Sequence, residues 1–390
     1  MATEWKKVKF NQIFAEPTRN GLSETSSKEN DGLKIINMGE VFGYDFISCK
    51  QEMRKLPSNK RVNSTFVVKN NDLLFARRSL VESGAGKVSL IKDANIESTV
   101  FESSIIRVRL DDTKVLPLFY FYWLKSFYGR AAISPLITGI NVKGIRASEL
   151  AEITVPLPPL ETQQKIAGIL SAYDDLIENN HKQIKLLEEA AQKLYKEWFV
   201  KLNFPGHENT KIVDGVPEGW KKGTVFDLGE FKRGKTITKD QTILGPIPVV
   251  AGGLEPAYYH NESNTDSPVI TVSGSGANAG FTRMYYEKVW ASDCSYLDIS
   301  KCENLYFVYC ILKNSKAEID NLQKGAAQPH VYAKDVNAIN TLIPCQVLLE
   351  KFSAVVKVYF EKIRAVQKQI IDLQSARDKL LPKLMNGELI

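Results

Sequence analysis

The sequence predicts an α+β protein in which two related, mixed α/β globular lobes are separated by two long antiparallel helices that form a coiled coil. Three observations lead to this prediction. The chain of 390 residues repeats itself once, each copy ends in a long polar stretch with a heptad pattern, and the composition is globular, with 44% hydrophobic and 25% charged residues. At roughly 100–200 residues per domain, such a chain forms two or three domains.

The internal repeat appears without a gap when Thr138 is placed on Lys324. The segment "TGINVKGIRASELAEITVPLPPLETQQKIAGIL" then lies over "KGAAQPHVYAKDVNAINTLIPCQVLLEKFSAVV". At the front of the chain, "EWKKV" matches "GWKKG" when Trp5 is placed on Trp220. This second match requires a larger offset than the first, so the first lobe is the longer one. The order of the chain is therefore lobe, long helix, lobe, long helix.

The two polar stretches carry apolar residues at alternating steps of four and three. Nine of ten such positions from Ile166 onward are apolar or aromatic, and so are nine of the ten aligned positions from Phe352 onward. This spacing is typical of a two-stranded coiled coil, and the polar exceptions Asn180 and Arg377 are of the kind that fix register. The predicted seam comprises Ile166, Leu170, Tyr173, Ile177, Asn180, Ile184, Leu187, Leu194, Tyr359, Ile363, Val366, Ile370, Leu373 and Leu380.

Connectivity favours an antiparallel pair. A parallel pair would require the second lobe to span the whole helix backwards, whereas an antiparallel pair puts one lobe at each end. Residues whose numbers sum to about 550 then face each other, so that Ala191 faces Tyr359 and Tyr173 faces Arg377. The alternative is that each helix packs only on its own lobe.

Each lobe combines strands with one aromatic helix. In the first, "STFVVKNNDLLFARRSL" and "STVFESSIIRVRL" are predicted strands, joined by the Gly-rich "VESGAGKVSL" and followed by the helix "LPLFYFYWLKSFYG". In the second, "SPVITVSGSGANAGFTRMYY", "VWASDCSYLDI" and "NLYFVYCILKNS" have the same roles. The aromatic side chains are expected to form core rather than a base-stacking surface.

The composition and the apolar runs of the sequence indicate the cellular compartment and the kind of ligand to expect. The longest apolar run, "VLPLFYFYWL", falls well short of the ~20 residues that span a bilayer, and the first ten residues form no apolar signal core. We expect a soluble, cytoplasmic protein whose five cysteines are reduced structural thiols. The first 155 residues hold 23 Lys and Arg against 17 Asp and Glu, a net charge of +6. A basic surface of this kind suits nucleic acid.

No catalytic constellation or metal site is predicted. The four histidines are scattered, without a second ligand at metal spacing. The "GSGANAG" loop lacks the glycine spacing of a dinucleotide fingerprint and is expected to be a tight loop. An amino-methyltransferase motif is missing as well, because "LPPL" has neither the amide nor the aromatic ring.

What both lobes do offer is Arg, Lys and amide side chains beside Gly and Ser in turns. Arg and amide groups pair with guanine and adenine edges, whereas Lys and Ser suit phosphates. The predicted DNA-binding residues are Arg77, Arg78, Lys87, Asn141, Lys143 and Arg146 in the first lobe, and Lys232, Arg233, Ser273, Ser275, Asn278, Arg283, Gln328 and His330 in the second.

Three motifs then carry a resemblance to a known family. The segment "PLPPLETQQKIAGIL" leads into "LIENNHKQIKLLEEAAQKLYKEWFV" and "FPG", and "KLLPKLMNGEL" ends the chain. In that order they resemble the specificity (S) subunit of type I restriction-modification systems, over essentially the whole chain. The residues that match the motif opening the first helix are Pro158, Pro159, Leu160, Gln163 and Ile166.

The resemblance implies a recognition subunit without catalytic activity. Two target-recognition domains would each read half of a split double-stranded DNA sequence, and the helices would form a spacer that docks two methyltransferase (M) subunits. Restriction (R) subunits would join them, and S-adenosylmethionine for adenine methylation would be bound by the M subunits, not by this chain. The implied boundaries are 1–155 and 205–345 for the target-recognition domains, 156–204 for the central spacer helix and 346–390 for the C-terminal one.

Other functions stay open at this point. The chain could serve a fused restriction-methylation polypeptide of the type IIB kind. A single-chain DNA enzyme would need a methyl-donor pocket, which the sequence does not reveal. A coiled-coil scaffold without a DNA role would explain the helices but not the paired loops.

Overall fold

The computed structural model describes residues 5–24, 26–28, 31–93, 96, 98–323 and 329–389. The chain forms two compact units: unit 1 is Met1–Glu178 with Ile371–Ile390, and unit 2 is Asn179–Ile370. Each unit therefore contains one lobe and a part of each long helix. The implied four-segment division instead assigns each helix to a segment of its own.

Unit 1 is built on an antiparallel sheet with one parallel edge strand. Its strands are β1 (Lys6–Lys9), β2 (Phe14–Asn20), β3 (Lys34–Ile36), β4 (Phe46–Ile47), β5 (Arg54–Lys55), β6 (Leu73–Ala76), β7 (Arg78–Ser79), β8 (Val88–Ile91), β9 (Thr99–Phe101), β10 (Ile105–Leu110), β11 (Lys143–Gly144) and β12 (Thr154–Leu157). The main sheet has the order β2-β10-β6-β8-β4, beside a three-stranded sheet β5-β3-β9 and the pairs β1-β12 and β7-β11. Strand β8 begins inside the segment predicted as a joining loop, which ends at Leu90.

The helices of unit 1 begin with α1 (Met38–Gly43), α2 (Pro117–Lys125), α3 (Phe127–Ile133) and α4 (Ala147–Ala151). All the aromatic residues of α2 are buried, in one cluster with the sheet residues Leu73 and Ile106. The prediction that the aromatic residues form core is confirmed for α2. It is wrong for Phe127 and Tyr128, which belong to α3 and are exposed, because the predicted single helix is broken at Ser126. The first long helix, α5 (Leu160–Tyr195), follows β12 and closes with a π-helical turn at Lys196–Val200.

Unit 2 repeats this architecture. Its strands are β13 (Ile212–Val213), β14 (Val216–Pro217), β15 (Lys221–Thr224), β16 (Lys232–Arg233), β17 (Ile247–Val250), β18 (Tyr258–His260), β19 (Val269–Ser273), β20 (Thr282–Tyr285), β21 (Trp290–Ala291), β22 (Cys294–Asp298) and β23 (Asn340–Ile343). Its short helices are α6 (Leu305–Asn314), α7 (Lys316–Asn321) and α8 (Ala333–Asn337). The second long helix, α9 (Gln346–Met385), begins in unit 2 and ends in unit 1.

The sheet orders and registers confirm the duplication. The order β16-β22-β19-β20 in unit 2 matches β2-β10-β6-β8 in unit 1, and both three-stranded sheets contain one antiparallel and one parallel pair. Lys6 pairs with Leu157 in β1-β12, and Lys221 pairs with Ile343 in β15-β23. Lys6 and Lys221 are related by the offset that places Trp5 on Trp220, and Leu157 and Ile343 by the offset that places Thr138 on Lys324.

The long helices run antiparallel within each unit. In unit 1, the start of α5 shares a hydrophobic cluster with the end of α9, where Ile166 and Leu384 are both buried. In unit 2, the end of α5 packs on the start of α9, and the rings of Trp198 and Phe352 lie 5.9 Å apart. The numbers of this last pair sum to the predicted value of about 550. Every residue of the predicted seam is buried or half-buried.

The proline-rich motif before α5 anchors that helix through one buried amide. Gln163 is completely buried, and its Nε2 donates to the carbonyl oxygen of Pro158 over 2.9 Å. Its Oε1 accepts from the backbone N–H of Leu116 over 2.8 Å, just before α2. One side chain thereby satisfies two backbone groups that burial would otherwise leave unpaired.

Candidate nucleic-acid interface

Two of the predicted DNA-binding segments of unit 1 meet at a short β-ribbon. Strand β7 pairs antiparallel with β11, so that Arg78 lies opposite Gly144 and Ser79 opposite Lys143. The backbone N–H of Ile145 also donates to the carbonyl oxygen of Arg77 over 3.0 Å. We call this ribbon, with the turns at 80–86 and 138–142, the unit 1 corner.

Unit 2 has an equivalent corner, formed by the turn at 274–280 and the segment at 329–332. Ser275 forms an antiparallel bridge with His330, and the backbone N–H of Val331 donates to the carbonyl oxygen of Gly274 over 3.1 Å. Val331 aligns with Ile145 in the gapless internal repeat of the sequence. The two corners therefore share a backbone framework, although their side chains differ.

The charged side chains of the unit 1 corner differ in how firmly they are held. Arg77 is half-buried and donates from Nη1 to the carbonyl oxygen of Ser103 over 3.3 Å, and Lys87 donates to the carbonyl oxygen of Phe42 over 2.6 Å. Arg78 is exposed. Lys143 is half-buried, Asn141 is exposed, and Arg146 is exposed and lies 3.5 Å from the Glu149 carboxylate. The exposed members are free to turn toward a ligand.

In unit 2, the predicted residues fall into a packed set and an accessible set. The Ser273 hydroxyl is buried and donates to the carbonyl oxygen of Gly252 over 3.1 Å, while Ser275 bonds to the carboxylate of Asp293. The accessible residues, each exposed or half-buried, are Lys232 and Arg233 on β16, Asn278 in the turn, Arg283 and His330. Gln328 lies outside the described residues.

Two accessible residues of unit 2 are oriented by aromatic rings. The Arg283 guanidinium lies 4.9 Å from the centre of the Tyr285 ring and donates to the carbonyl oxygen of Leu254 over 2.8 Å. The His330 ring stacks on Tyr332, with an interplanar angle of 11°. Planar groups held in this way are suited to stacking or edge contacts with bases.

A buried ionic network supports the sheet of unit 1. Arg109 makes a bidentate bond to the fully buried carboxylate of Asp72, with both distances 2.7 Å, and it also bonds Glu16. Arg107, only 1% exposed, donates to the other oxygen of Glu16. Burial alone would raise the pKa of Glu16, but the hydrogen bonds and charges of Arg109 and Arg107 outweigh burial and lower that pKa.

The sequence did not single out the large apolar side chains at the unit 1 corner. Leu80 is 83% exposed, although the pattern predicted it within a strand, and Ile140 is 93% exposed. In the sequence, the one feature that indicates a functional role for these two residues is their position close to the basic residues predicted to bind DNA. In the described residues, no three His, Cys, Asp or Glu side chains come together as a metal site requires.

Comparison with known proteins assigns the family. The sequence pattern described as "Type I restriction modification DNA specificity domain" matches residues 3–189 and again residues 217–389. The chain belongs to this family. The double match follows the duplication seen in the sheets, and each match contains one lobe.

Two relatives of this specificity-subunit family span nearly the whole chain. The type I restriction enzyme MjaIX specificity subunit of Methanocaldococcus jannaschii is 31% identical, over 99% of this chain and 94% of the relative. The type I restriction enzyme HindI specificity subunit of Haemophilus influenzae is 21% identical, over 99% of this chain and 100% of the relative.

A solved structure shares the fold. The S subunit of a type I restriction-modification system from M. genitalium aligns with a TM-score of 0.58 over 98% of this chain and 96% of that one, at 19% identity. As to membranes, none of the helices in the described ranges has the length and apolar character needed to cross a bilayer.

Proposed function

We propose that this specificity subunit reads a bipartite target in double-stranded DNA, with one lobe for each half-site. The observation that carries this proposal is the equivalent pair of corners. The bond from Ile145 to Arg77 and the bond from Val331 to Gly274 hold two loops on the same backbone framework. Because the loops differ in sequence, "ARRSLVESGAG" against "SGSGANAG", each corner presents different donors and acceptors to base edges.

The chemistry of the target is then supplied by partners. The subunit docks two M subunits, which bind S-adenosylmethionine and methylate adenine, and R subunits join the complex in the cytoplasm. The outer faces of the long helices support the docking role, since large apolar side chains on them are exposed. On α5 and α9 these include Leu176, Leu186, Val347, Val355, Val358 and Ile371.

A sequencing experiment tests the proposal. The chain is produced with and without its M subunits in a host that lacks adenine methylation, and modified adenines are mapped across the host genome. We expect a two-part methylated sequence only when both proteins are present. Methylation by the chain alone, or a single continuous target, would contradict the proposal.

A further inference from the structure

The unit 1 corner carries apolar side chains that its own fold does not cover. Leu80 and Ile140 are 83% and 93% exposed, and Val81, Val142 and Phe127 are also exposed. Soluble proteins rarely leave several large apolar residues uncovered in one place unless a partner contacts them. This group sits beside the cations predicted to bind DNA.

The two most exposed residues project from anchored backbone. Leu80 directly follows Ser79 of the ribbon, and Ile140 lies in the turn between Thr138 and Gly144, whose backbone groups bond each other over 2.9 and 2.8 Å. Gly139 closes this turn with a φ of +106°, and a Cβ there would lie 2.1 Å from the Val142 carbonyl oxygen. The turn therefore has little room to rearrange.

A cation holds the second turn in the same way. Arg130 of α3 donates to the carbonyl oxygens of Ala85 over 3.2 Å and of Ser83 over 3.4 Å. Phe127 of the same helix lines a depression together with Glu82 and Ser83. The apolar tip is thus held in shape before any ligand arrives, which lowers the entropic cost of inserting it into a partner.

The surroundings of the tip indicate what that partner is. Arg78 lies two residues before Leu80, while Lys143 and Arg146 follow Ile140, and Arg78 and Arg146 are exposed. An apolar tip within a frame of cations complements a partner with a negatively charged outside and an apolar inside. Duplex DNA fits this description, because phosphates surround stacked bases.

We infer that Leu80 and Ile140 form a wedge that inserts between base pairs of the half-site read by unit 1. Leu and Ile are among the side chains that unstack a base step when they enter a groove. This inference rests on the proposed function and adds a readout by DNA deformability to the readout of base edges.

The inference applies to one lobe only. At the unit 2 corner, the equivalent turn at 274–280 presents Ala277 and Asn278, and it contains no large apolar residue. No wedge is therefore inferred for that turn of unit 2, and the half-site read by unit 2 serves as the comparison.

The test uses the assembled complex of this chain with its M subunits. Target duplexes carry the fluorescent base 2-aminopurine at successive positions, omitting the adenine that is methylated, since methyltransferases themselves take that base out of the stack. The variant is the double substitution L80A with I140A. The control is Val213→Ala, which removes an exposed apolar side chain on β13.

With the wild-type complex, we expect 2-aminopurine fluorescence to rise at one step of the unit 1 half-site and at none in the other half-site. The double variant should lose this rise and bind the fully base-paired target about tenfold more weakly than the wild type does. A mismatch at the same step should tighten DNA binding by the wild-type complex, because the mismatched bases are already partly unstacked and less energy is needed to separate them. The same mismatch should tighten binding by the double variant less. Val213→Ala should behave as the wild type does.

Three results would overturn the inference. The first is no fluorescence rise with the wild-type complex, or a rise that the double variant keeps unchanged. The second is a loss of affinity, equal to that of the double variant, when thymine in the half-site is replaced by uracil, with no fluorescence rise at any step. That result would mean that the tip contacts thymine methyl groups instead of separating bases. The third is a double variant that no longer assembles with M subunits, which would make the tip a protein-docking surface. If the wild-type complex recognises no split sequence at all, the proposed function itself fails.

Discussion

Arg377 on α9 donates a hydrogen bond from Nη1 to Oδ1 of Asp174 on α5 over 2.6 Å. The other oxygen of that carboxylate accepts a bond of 2.6 Å from the Tyr122 hydroxyl of α2. Burial, followed by the bond to Asp174, raises the pKa of Tyr122, so the phenol stays a donor at neutral pH. One carboxylate thus joins both long helices to the lobe, at a heptad position where the seam of α9 is polar.

Replacing Arg377 with Ala should destabilise unit 1. The Asp174 carboxylate would lose its ion-pair partner in a place where only 13% of its side chain is exposed. The expected cost is about 1–3 kcal/mol, measured by denaturant unfolding. Lys379→Ala, which removes an exposed cation from the same turn of α9, is the control and should cost well under about 1 kcal/mol. An equal loss of unfolding free energy in the two variants would contradict a special role for Arg377.

Gln163 and its neighbour Gln164 form a matched pair at the start of α5. Gln163→Ala leaves the Leu116 N–H and the Pro158 carbonyl oxygen without their side-chain partner, and we expect a loss of about 2–4 kcal/mol in unfolding free energy. Gln164 is exposed, so Gln164→Ala should change stability by less than about 0.5 kcal/mol. Thermal and denaturant unfolding of the two variants measures both losses, and equal stability of the two variants would contradict the role assigned to Gln163.

Removing the buried carboxylate of Asp72, just before β6, should have a large effect. Asp72→Ala would leave Arg109 without its bidentate partner and only Glu16 to balance two guanidinium groups. We expect unit 1 to lose about 3–5 kcal/mol. Asp112→Ala, an exposed carboxylate just after β10, is the control and should melt like the wild type.

The pH dependence of stability should report on Glu16. Its pKa is lowered below its usual value, so its contribution to stability is present above that value and is lost as the pH falls through the folded-state pKa. The stability difference between the wild type and Glu16→Gln should therefore shrink as a titration goes below about pH 4. A difference that grows toward acid would contradict the assigned direction.

Half-site recognition should depend more on Arg78 than on Arg77. Arg78 is exposed, whereas Arg77 is half-buried and bonded to the Ser103 carbonyl oxygen. With the M subunits present, Arg78→Ala should weaken or relax recognition of one half-site by ~1–3 kcal/mol and leave the other half-site unchanged. Genome-wide mapping of methylated adenines gives both halves at once, and an equal change in both would argue against independent lobes.

Much of this architecture could be predicted because it is periodic or repeated. The internal repeat places Ile145 on Val331, and the structure gives both the same backbone bond. The heptads predict facing numbers near 550, which the pair Trp198 and Phe352 meets. Strand β8 was missed because a short buried run such as "VSLI" beside glycines has no distinctive period.

The site was harder to predict because exposure depends on tertiary contacts. Leu80 and Ile140 are residue types that usually lie in a core, yet they are among the most exposed large hydrophobic side chains in the described part of the chain. Arg77 and Ser273 are predicted to contact DNA, and in the structure each also bonds to a backbone carbonyl oxygen of its own unit. Residue type and spacing do not contain that information.

The bonds that hold the two corners have a consequence for how new specificities can arise. At Arg77 and at Gly274, the connecting bond uses main-chain atoms only, so it is indifferent to the side chains that flank it. If the corners read DNA as proposed, a recombination event that exchanges one turn for another would keep the scaffold intact while changing the bases that are favoured. The host would acquire a new methylation mark without having to evolve a new protein fold.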